Sequence, residues 1–444
     1  MNKQTMIYYF IGIGGVGMSA LARLCLLEGN KVFGYDRIQS KVTDELEKQG
    51  IPIIYQDTLE SIPSEVLDKQ TQIIYTSAIK GDHPQLRYFI RNNFSVKKRA
   101  LFMAELCDGK PTLAVAGTHG KTTTSAFLTH IFSETRQSFT SLMGGFFQGN
   151  SSNLIRTGND FMLVEADEYD RSFLNIHPTV GAITSIDSDH LDVYQNRKAF
   201  EEAFATFSSQ VTQQLIIAHG LPFDGLTYGF DVEADYRIFN IKQLKTGYKF
   251  DLKTPTNKFS KIKINQIGEH NLSNILCALA MADQVGVPLD IALKSLISFP
   301  GVHRRMNLFK WGEKLLIDDY AHHPTEIESV LKTLQSFYSK QQKCVIFQPH
   351  LFSRTQDFYE EFLNVLSQFD EVVLLDIYPA RELPIEGITS ARMIDDLNHF
   401  NKKLIDKTMI SKTITESEAK VFALLGAGDI GEEIQLLKSQ NLAK

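Results

Sequence analysis

The stretch Leu113-Ala114-Val115-Ala116-Gly117-Thr118-His119-Gly120-Lys121-Thr122-Thr123-Thr124 decides the fold of the central part of this chain. Its apolar run ends at Gly117, and Thr122 to His130 has the composition of the first turns of a helix. This strand–loop–helix order is the context that a phosphate-binding loop requires. Gly117 and Gly120 let the backbone approach a phosphate, so that several N–H groups face it at the positive end of the helix.

The same loop contains the side chains that a nucleoside triphosphate needs. Lys121 is a compact cation that can reach the β- and γ-phosphates, and the Thr122 hydroxyl can ligate the accompanying Mg²⁺. Val115 stands where the general G-x-x-x-x-G-K-[ST] pattern has its first glycine, so the spacing departs from that pattern. Gly-Lys-Thr also occurs by chance in ordinary turns, but the apolar strand before it and the three threonines after it favour an ATP or GTP site.

The composition limits the class of protein. A chain of 444 residues is long enough for two to four domains, and its 43% hydrophobic and 22% charged residues are typical of a soluble globular protein. The net charge of -6 gives no general basic field, so we expect no nucleic-acid partner, and Lys97-Lys98-Arg99 is interpreted as a solvated face. No apolar run approaches the ~20 residues of a membrane span. Four isolated cysteines predict reduced thiols and a cytoplasmic location.

A second glycine-rich turn, Gly12-Ile13-Gly14-Gly15-Val16-Gly17, follows an apolar strand and precedes a helix that begins at Met18. The next predicted strand ends at Asp36, where an acid meets a ribose in dinucleotide-binding units. The pattern fits NAD, but a nucleotide-sugar diphosphate satisfies the same physics. Ser77 and Ala78 lie just past the carboxyl end of a further strand, where open α/β sheets bind ligands; a plain loop is an equally good interpretation.

Two groups of acids follow predicted strands after the phosphate loop. Glu165-Ala166-Asp167-Glu168-Tyr169-Asp170 directly follows the strand Phe161 to Val164, and acids in this position can hold Mg²⁺. A solvated acidic turn is the alternative. The strand Val180 to Ile186 leads similarly into Asp187-Ser188-Asp189-His190-Leu191-Asp192. Because hard cations prefer oxygen ligands, the chemistry alone ranks His190 below the acids.

Polar residues with further chemical potential lie downstream. Asn271 and Asn274 share a helix face and could read the edge of a base, although Asn271 is an equally good helix N-cap. In the last third, predicted strands alternate with helical stretches, which indicates a second Rossmann-like unit. Each of those strands ends in polar residues, namely Asp318 to His323, Gln348 to His350, Asp376 and Gly426 to Asp429. The adjacent His322 and His323 are candidates for proton transfer.

Taken together, these motifs resemble the Mur ligase family over nearly the whole chain. The resemblance also rests on Arg304-Arg305, on Pro324-Thr325-Glu326 after the histidine pair, and on the shortened phosphate loop, which is the form that this family uses. It implies an α/β fold of three domains. These are a Rossmann-like domain for a uridine-diphosphate substrate (1–108), a central ATP-binding domain with a mostly parallel sheet (109–299), and a Rossmann-like domain that closes on ATP and the amino acid (300–444).

The resemblance also implies residue roles. The uridine-diphosphate substrate, rather than NAD, is assigned to Gly12, Gly14, Gly15, Gly17, Met18, Asp36, Ser77 and Ala78. ATP is assigned to Gly117, Thr118, His119, Gly120, Lys121, Thr122, Thr123, Asn271, Asn274, Arg305 and Asp319, with the two asparagines at the adenine. Mg²⁺ is assigned to Thr122, Glu165 and His190. For His190, the resemblance takes precedence over ligand chemistry, which alone ranks this residue below the acids. The catalytic set is Lys121, Glu165, His190, His322 and Arg354, the last two facing the acceptor amino acid and the reacting carboxylate.

Within the family, the resemblance is to the branch that joins L-alanine to UDP-N-acetylmuramate through an acyl phosphate, in peptidoglycan precursor synthesis. It implies ATP and Mg²⁺ as cofactors and a cytoplasmic monomer or homodimer. The nearest alternative is a ligase that attaches a murein tripeptide to the same nucleotide. An NAD-dependent oxidoreductase leaves Lys121 and Glu165 without a role, and a non-catalytic nucleotide-binding module leaves the acid–base groups without one.

The sequence departs from the family pattern in three places. Leu351 stands where many relatives have an arginine, which leaves Arg354 as the matching cation. Asn307 stands where an acid is common. Some relatives have a carbamylated lysine downstream of the Asp-His pair, and the corresponding residues here are Phe204-Ala205-Thr206, so we expect no such lysine.

Overall fold

In the computed structural model, which describes residues 5–187, 194, 196–380 and 382–442, the chain forms three β-sheets whose strands are joined largely by helices. Within these residues, no helix combines the length and the apolar character that crossing a bilayer requires. The four cysteines are buried and form no disulfide among the described residues. The three sheets agree with the three-domain α/β organisation that the sequence predicts.

The first sheet is parallel and has the strand order β3-β2-β1-β4-β5. Its strands are β1 (Ile7–Ile11), β2 (Lys31–Tyr35), β3 (Ile53–Ile54), β4 (Gln72–Tyr75) and β5 (Ser95–Lys98). The helices of this region are α1 (Val16–Leu27), α2 (Lys41–Lys48), α3 (Pro84–Arg91) and α4 (Arg99–Cys107). The direction of winding reverses between β1 and β4, and such a switch point opens a crevice at the carboxyl ends of the two strands.

The central sheet has the order β15-β14-β13-β12-β11-β10-β6-β9-β7-β8. The bounds of its strands are β6 (Thr112–Ala116), β7 (Phe139–Leu142), β8 (Leu154–Arg156), β9 (Phe161–Glu165), β10 (Val180–Ile183), β11 (Gln214–Ala218), β12 (Leu226–Phe230), β13 (Tyr236–Leu244), β14 (Gly247–Lys253) and β15 (Lys258–Ile264). Strand β6 pairs in parallel with β10 on one side and β9 on the other. The segments after β6, β9 and β10 therefore meet at one edge of the sheet.

The helices of the central region are α5 (Lys121–Glu134), α6 (Arg197–Gln210), α7 (Glu269–Gln284) and α8 (Leu289–Ser295). Helix α5 begins at the phosphate loop, and its side chains from Thr123 to Phe132 are buried. A single 3₁₀ segment, Tyr169–Asn175, follows the acids after β9. Helix α5 is therefore enclosed on all sides rather than amphipathic, which fixes its N-terminus firmly at the edge of the sheet.

The third sheet has the order β16-β17-β21-β18-β19-β20, and β16 with β17 is its antiparallel pair. The strands are β16 (Asn307–Trp311), β17 (Lys314–Asp319), β18 (Lys343–Phe347), β19 (Glu371–Leu374), β20 (Lys402–Leu404) and β21 (Val421–Leu425). The helices are α9 (Pro324–Phe337), α10 (Phe352–Asp357), α11 (Tyr359–Leu366), α12 (Ser390–Asp396), α13 (Ile410–Glu416) and α14 (Ile430–Leu442).

The three sheets belong to two compact units. One unit comprises Met1–Lys242, Lys249–Ile264 and Ser273–Pro300 and contains the first two sheets; the other comprises Gln243–Tyr248, Asn265–Leu272 and Gly301–Lys444 and contains the third. The first two sheets share one hydrophobic cluster, in which Phe10 and Phe102 join Ala114 and Val164. The domain limits at 108 and 299 stay predictions.

Candidate active site

The phosphate loop between β6 and α5 depends on two glycines with positive φ, Gly117 (φ 131°) and Gly120 (φ 84°). A Cβ atom on Gly117 would lie 2.1 Å from Thr184 Oγ1, and one on Gly120 would lie 2.5 Å from Asn274 Oδ1. Left-handed backbone and the absence of a side chain are thus both required at these positions. The N-terminus of α5 is left open for an anion, since Gly120 has no side chain with which to cap it.

The segment after β10 holds the phosphate loop in place. The N–H of His119 donates to Ser185 Oγ at 2.9 Å, and Thr118 Oγ1 donates to the carbonyl of Asp187 at 3.1 Å. His119 Nε2 lies 3.2 Å from Asp187 Oδ2. Ser185 contributes to the site through this bond, a role that no sequence motif indicates.

Lys121 is held by a buried carboxylate. Its Nζ donates to the carbonyl of Gly117 at 2.7 Å and to the two oxygens of Glu168 at 2.9 and 2.6 Å. The side chain of Lys121 is 15% exposed and that of Glu168 is 0% exposed. Burial opposes the charge of Lys121, but the attraction of Glu168 and neighbouring acids outweighs it, so the pKa of Lys121 is raised. Lys121 is therefore a fixed cation at the loop.

The Thr122 and Glu165 oxygens face each other where α5 begins. Thr122 Oγ1 donates to Glu165 Oε2 at 3.0 Å, while Ser125 Oγ and the N–H of Gly144 donate to Oε1 at 2.9 and 2.7 Å. Hydroxyl and carboxylate oxygens are the donor set that Mg²⁺ prefers, so this pair fits the predicted cation. Among the described residues no cluster of three or more His, Cys, Asp or Glu side chains adds to it. The predicted ligand His190 lies outside the described residues.

Helix α7 places Asn274 beside the phosphate loop. Asn274 is buried, and its Oδ1 accepts a hydrogen bond from Thr124 Oγ1 at 3.3 Å. The amide of Asn271 donates to the carbonyl of Ile267 at 2.7 Å, so this side chain does not cap the start of the helix. Thr123 is likewise buried, within α5. Contact of the two asparagines with adenine stays a prediction.

The first glycine loop is organised by Asp36. Asp36 Oδ2 accepts the N–H of Gly14 at 2.8 Å, and Oδ1 accepts the N–H of Ile38 at 3.2 Å. Both oxygens of the acid that was expected at the substrate therefore bond to the backbone. A Cβ on Gly12 would lie 2.5 Å from Thr76 Cγ2, so this loop and the segment containing Ser77 and Ala78 meet at the switch point.

The remaining predicted substrate residues lie around the start of α1. Gly15 is its N-cap and makes no side-chain capping bond, which leaves this helix end open as well. The side chain of Met18 is buried in the hydrophobic cluster, so its backbone is the group that could reach a substrate. Substrate contacts of Gly15, Gly17 and Met18 stay predictions.

The interpretation of the basic run is wrong for Arg99. This arginine packs against the first glycine loop, because a Cβ on Gly17 would lie 2.8 Å from Arg99 Nη1. Its Nη2 lies 3.9 Å from Asp167 Oδ2, and its side chain is only 24% exposed. Lys97, in contrast, pairs with Glu105 on the surface at 2.8 Å. Lys97 and Arg99 have different surroundings because the chain turns from β5 into α4 between Lys98 and Arg99.

In the second compact unit, the end of β17 positions Asp319. Its Oδ2 accepts the N–H of Met306 at 2.7 Å, and its Oδ1 accepts the N–H of Ala321 at 2.8 Å. Burial raises the pKa of Asp319 to about 6, although Arg305 and these N–H donors oppose the shift. Asp319 thus fixes the turn that follows Arg305, and its contact with ATP stays a prediction.

His322 is largely enclosed, with 18% of its side chain exposed, and it is neutral at pH 7. Burial lowers its pKa to about 4, and the positive charge of Arg354 lowers it further while Glu326 opposes the shift. Nδ1 lies 2.9 Å from the carbonyl of Tyr320, which assigns the proton to Nδ1 and leaves the Nε2 lone pair as the acceptor. His350 lies close by, with ring centroids 6.1 Å apart. His322 is therefore in the state that accepts a proton.

Glu326 organises this region, although the sequence analysis names it only as part of the family resemblance. Its Oε2 accepts the N–H of His322 at 2.9 Å, and its Oε1 lies 3.7 Å from Arg305 Nη1. Together with His323 it forms a capping box at the start of α9. His323 therefore has a structural role, which separates it from its neighbour His322.

One of the departures from the family pattern, Asn307, has a local explanation. Asn307 Oδ1 accepts the N–H of Arg304 at 2.8 Å, while its Nδ2 donates to the carbonyl of Val302 at 2.7 Å. An acid could not make the second bond. Leu351 precedes α10 with φ 72°, in the left-handed region, and its N–H donates to the carbonyl of Tyr378 at 3.0 Å. Nothing in these contacts explains why Leu351 replaces an arginine.

The fold and the site define a three-domain α/β protein with a phosphate loop, a glycine-rich diphosphate loop and a separate unit with acid–base groups. Family models match almost the whole chain, as the Mur ligase family catalytic domain (residues 7–111), the Mur ligase middle domain (115–282) and the Mur ligase glutamate ligase domain (304–430). The chain belongs to the Mur ligase family.

Individual relatives support this result. A UDP-N-acetylmuramate–L-alanine ligase from Christiangramia forsetii is 46% identical over 436 residues, which cover 97% of this chain and 96% of that protein. The crystal structure of a UDP-N-acetylmuramate–alanine ligase from Thermotoga maritima is 28% identical, covers 99% of both chains and has a TM-score of 0.84. A murein peptide ligase from Psychrobacter arcticus is 21% identical with a TM-score of 0.72 and covers 98% of both chains, a likeness of fold.

Proposed function

We propose that this chain joins L-alanine to the carboxylate of UDP-N-acetylmuramate and converts ATP to ADP and phosphate, in peptidoglycan precursor synthesis. The observation that carries the proposal is the fixed Lys121 ammonium beside the Thr122–Glu165 oxygen pair at the open N-terminus of α5. The names of the similar proteins support the choice of the two other substrates.

In the first half-reaction, a carboxylate oxygen of the muramyl nucleotide attacks the γ-phosphorus of ATP. A new O–P bond forms, the bond to the ADP oxygen breaks, and an acyl phosphate results. Lys121 and the N–H groups at the start of α5 stabilise the charge on the transferred group. Mg²⁺, when bound, supplies further neutralisation of phosphate charge, and Thr122 and Glu165 would hold it.

In the second half-reaction, the amine of L-alanine attacks the acyl carbon and phosphate leaves with the electrons of the broken C–O bond. The amine must arrive without its extra proton. His322 Nε2 is the proposed acceptor of that proton, because Nδ1 is engaged with Tyr320 and the ring is neutral. The guanidinium of Arg354 suits the carboxylate of the amino acid.

The first glycine loop is assigned to the diphosphate of the sugar nucleotide. Its backbone N–H groups and the open end of α1 suit a diphosphate. Both oxygens of Asp36 accept backbone N–H groups, at Gly14 and Ile38, and each keeps a lone pair for a further donor such as a ribose hydroxyl. The names of the similar proteins favour the sugar-nucleotide interpretation over a dehydrogenase.

The test is ATP consumption with UDP-N-acetylmuramate across a panel of amino acids and the murein tripeptide. We expect ADP and a new amide with L-alanine. Amide formation with the tripeptide instead would identify the murein-peptide alternative. Neither ADP nor an amide with any amine acceptor would disprove the proposal, and hydride transfer with NAD(P)H would point to the dehydrogenase. A cytoplasmic location belongs to the same proposal and is supported by the four buried thiols.

A further inference from the structure

Glu168 is a buried acid that the proposed mechanism does not use. It lies three residues after Glu165, in the segment that follows β9, and its side chain has no exposed surface. The hydroxyl of Tyr194 donates to its backbone carbonyl at 2.5 Å, which fixes the segment from the other side. A buried carboxylate is costly unless a cation and hydrogen bonds compensate its charge.

The compensating cation is the phosphate-loop lysine. An ammonium group has three N–H donors, and Lys121 Nζ has three close acceptors, namely the carbonyl of Gly117 and both oxygens of Glu168. Lys121 is therefore satisfied before any phosphate arrives. To bind a phosphate oxygen, its Nζ must share or give up a bond to one of these partners.

The charges around the loop follow from the same contacts. Glu168, Asp167 and Glu165 all act electrostatically on Lys121. Arg99 pairs with Asp167 at 3.9 Å. A nucleotide polyphosphate, itself an anion, therefore meets a lysine whose charge these acids already offset.

We propose that Glu168 is the counter-ion of Lys121 and makes nucleotide binding at this loop depend on a divalent cation. With Glu168 in place, the lysine offers little uncompensated charge to a bare polyphosphate, so a cation must accompany the nucleotide. Without that carboxylate, the buried ammonium lacks an anionic partner and the phosphates replace it. The inference rests on the proposed nucleotide role of the loop and is independent of the sugar and the amino acid.

The experiment measures ADP binding by calorimetry to the full chain, once with excess Mg²⁺ and once with EDTA. The wild type is expected to bind much more weakly in EDTA. In Glu168→Gln, ADP binding in EDTA should tighten by about tenfold, and the ratio of the two dissociation constants should fall accordingly. An unchanged ratio would overturn the proposal.

A control separates a specific counter-ion from a general loss of negative charge. Asp167→Asn removes a charge that acts on Lys121 electrostatically but not through a hydrogen bond, and should tighten ADP binding in EDTA by less than about threefold. A tenfold gain with Asp167→Asn would contradict the assignment.

A third variant guards against failure of Glu168→Gln to fold. Glu168→Asp retains the charge one methylene further from Lys121 Nζ, and should show the same tightening to a smaller extent; no tightening would count against the proposal. Wild-type protein that binds no ADP even with Mg²⁺ would instead disprove the nucleotide function. The two failures are therefore distinguishable.

Discussion

Lys121 and Glu168 depend on each other for stability at the scale of single residues. Lys121→Met removes the cation that pairs with the fully buried Glu168 carboxylate. We expect the free energy of unfolding to fall by about 3–5 kcal/mol, the usual cost of breaking a buried pair. Urea denaturation of the nucleotide-free protein measures it. Adding Glu168→Gln to the variant should recover most of the loss, and no recovery would mean that the pair is not coupled.

His322 is the residue on which amide formation should depend. His322→Gln removes the proton acceptor, so the rate of alanine-dependent amide formation should fall by about 10²–10⁴-fold. Hydroxylamine, whose amine is uncharged at neutral pH, should still give the hydroxamate, because it needs no base. The measurement compares the two products at saturating ATP.

The matched control is the neighbouring histidine. His323→Asn keeps an N-cap for α9, since asparagine is a good capping residue, and should leave amide formation nearly unchanged. Equal losses in the two variants, or loss of hydroxamate in His322→Gln, would show that His322 acts on the fold or on the first half-reaction.

At the scale of elements, the junction of β6 and α5 is the most constrained turn of the site. Gly120→Ala would place a Cβ 2.5 Å from Asn274 Oδ1 at a residue with φ 84°. We expect at least about a tenfold loss of ATP-dependent activity together with about 1–3 kcal/mol of strain. Activity assays and urea denaturation measure the two effects.

Gly109→Ala is the control for the backbone strain alone. Gly109 also has positive φ, but a Cβ there meets nothing within 4 Å. This variant should lose stability and keep activity. If Gly120→Ala behaves in the same way, the close approach of α7 to the loop has no functional importance.

The elements also differ in how well the sequence predicts them. The sequence predicts strands over Lys31–Tyr35, Lys343–Phe347 and Val421–Leu425, and these are the observed bounds of β2, β18 and β21. Each is a compact apolar run between polar or glycine residues. The sequence does not predict strand β5, because Ser95–Lys98 is largely polar and lacks an apolar run. The strand lies at the edge of its sheet, where charged residues are common. That omission is also why Arg99 was interpreted as part of a solvated face.

At the scale of the whole molecule, three partly buried histidines predict sensitivity to acid. Burial lowers the pKa of His322 and His270 to about 4 and that of His350 to about 3. Below the ordinary value of about 6.5 the unfolded chain binds protons that the folded chain does not, so stability falls as the pH falls. Asp319, whose pKa is raised to about 6, acts in the opposite direction, whereas the lowered pKa of His83 adds to the effect of the other histidines.

The acid effect of His322 can be isolated. Between pH 7 and pH 5, the wild type should lose about 2 kcal/mol more unfolding free energy than His322→Gln, since the variant lacks the group that the unfolded chain protonates. Urea denaturation at the two pH values gives the difference. Equal losses would mean that His322 is already protonated in the folded protein at pH 5.

The sequence by itself determined the three-domain α/β class and the chemistry at the strand ends. An apolar run that stops at a glycine or an acid predicts a buried strand and identifies the side chains at its carboxyl end, as at Gly117 and Glu165. That is why the phosphate loop, the Thr122–Glu165 pair and the family resemblance were all accessible before the fold was known.

The tertiary structure alone decided which of these side chains are partners. Lys121 pairs with Glu168 across 47 positions, and Asp36 accepts the N–H of Gly14 across 22 positions. The physical reason is that strand order and side-chain packing bring distant segments together, whereas sequence periodicity reports only neighbours along the chain. The shared hydrophobic core of the first two sheets is a further result of that packing.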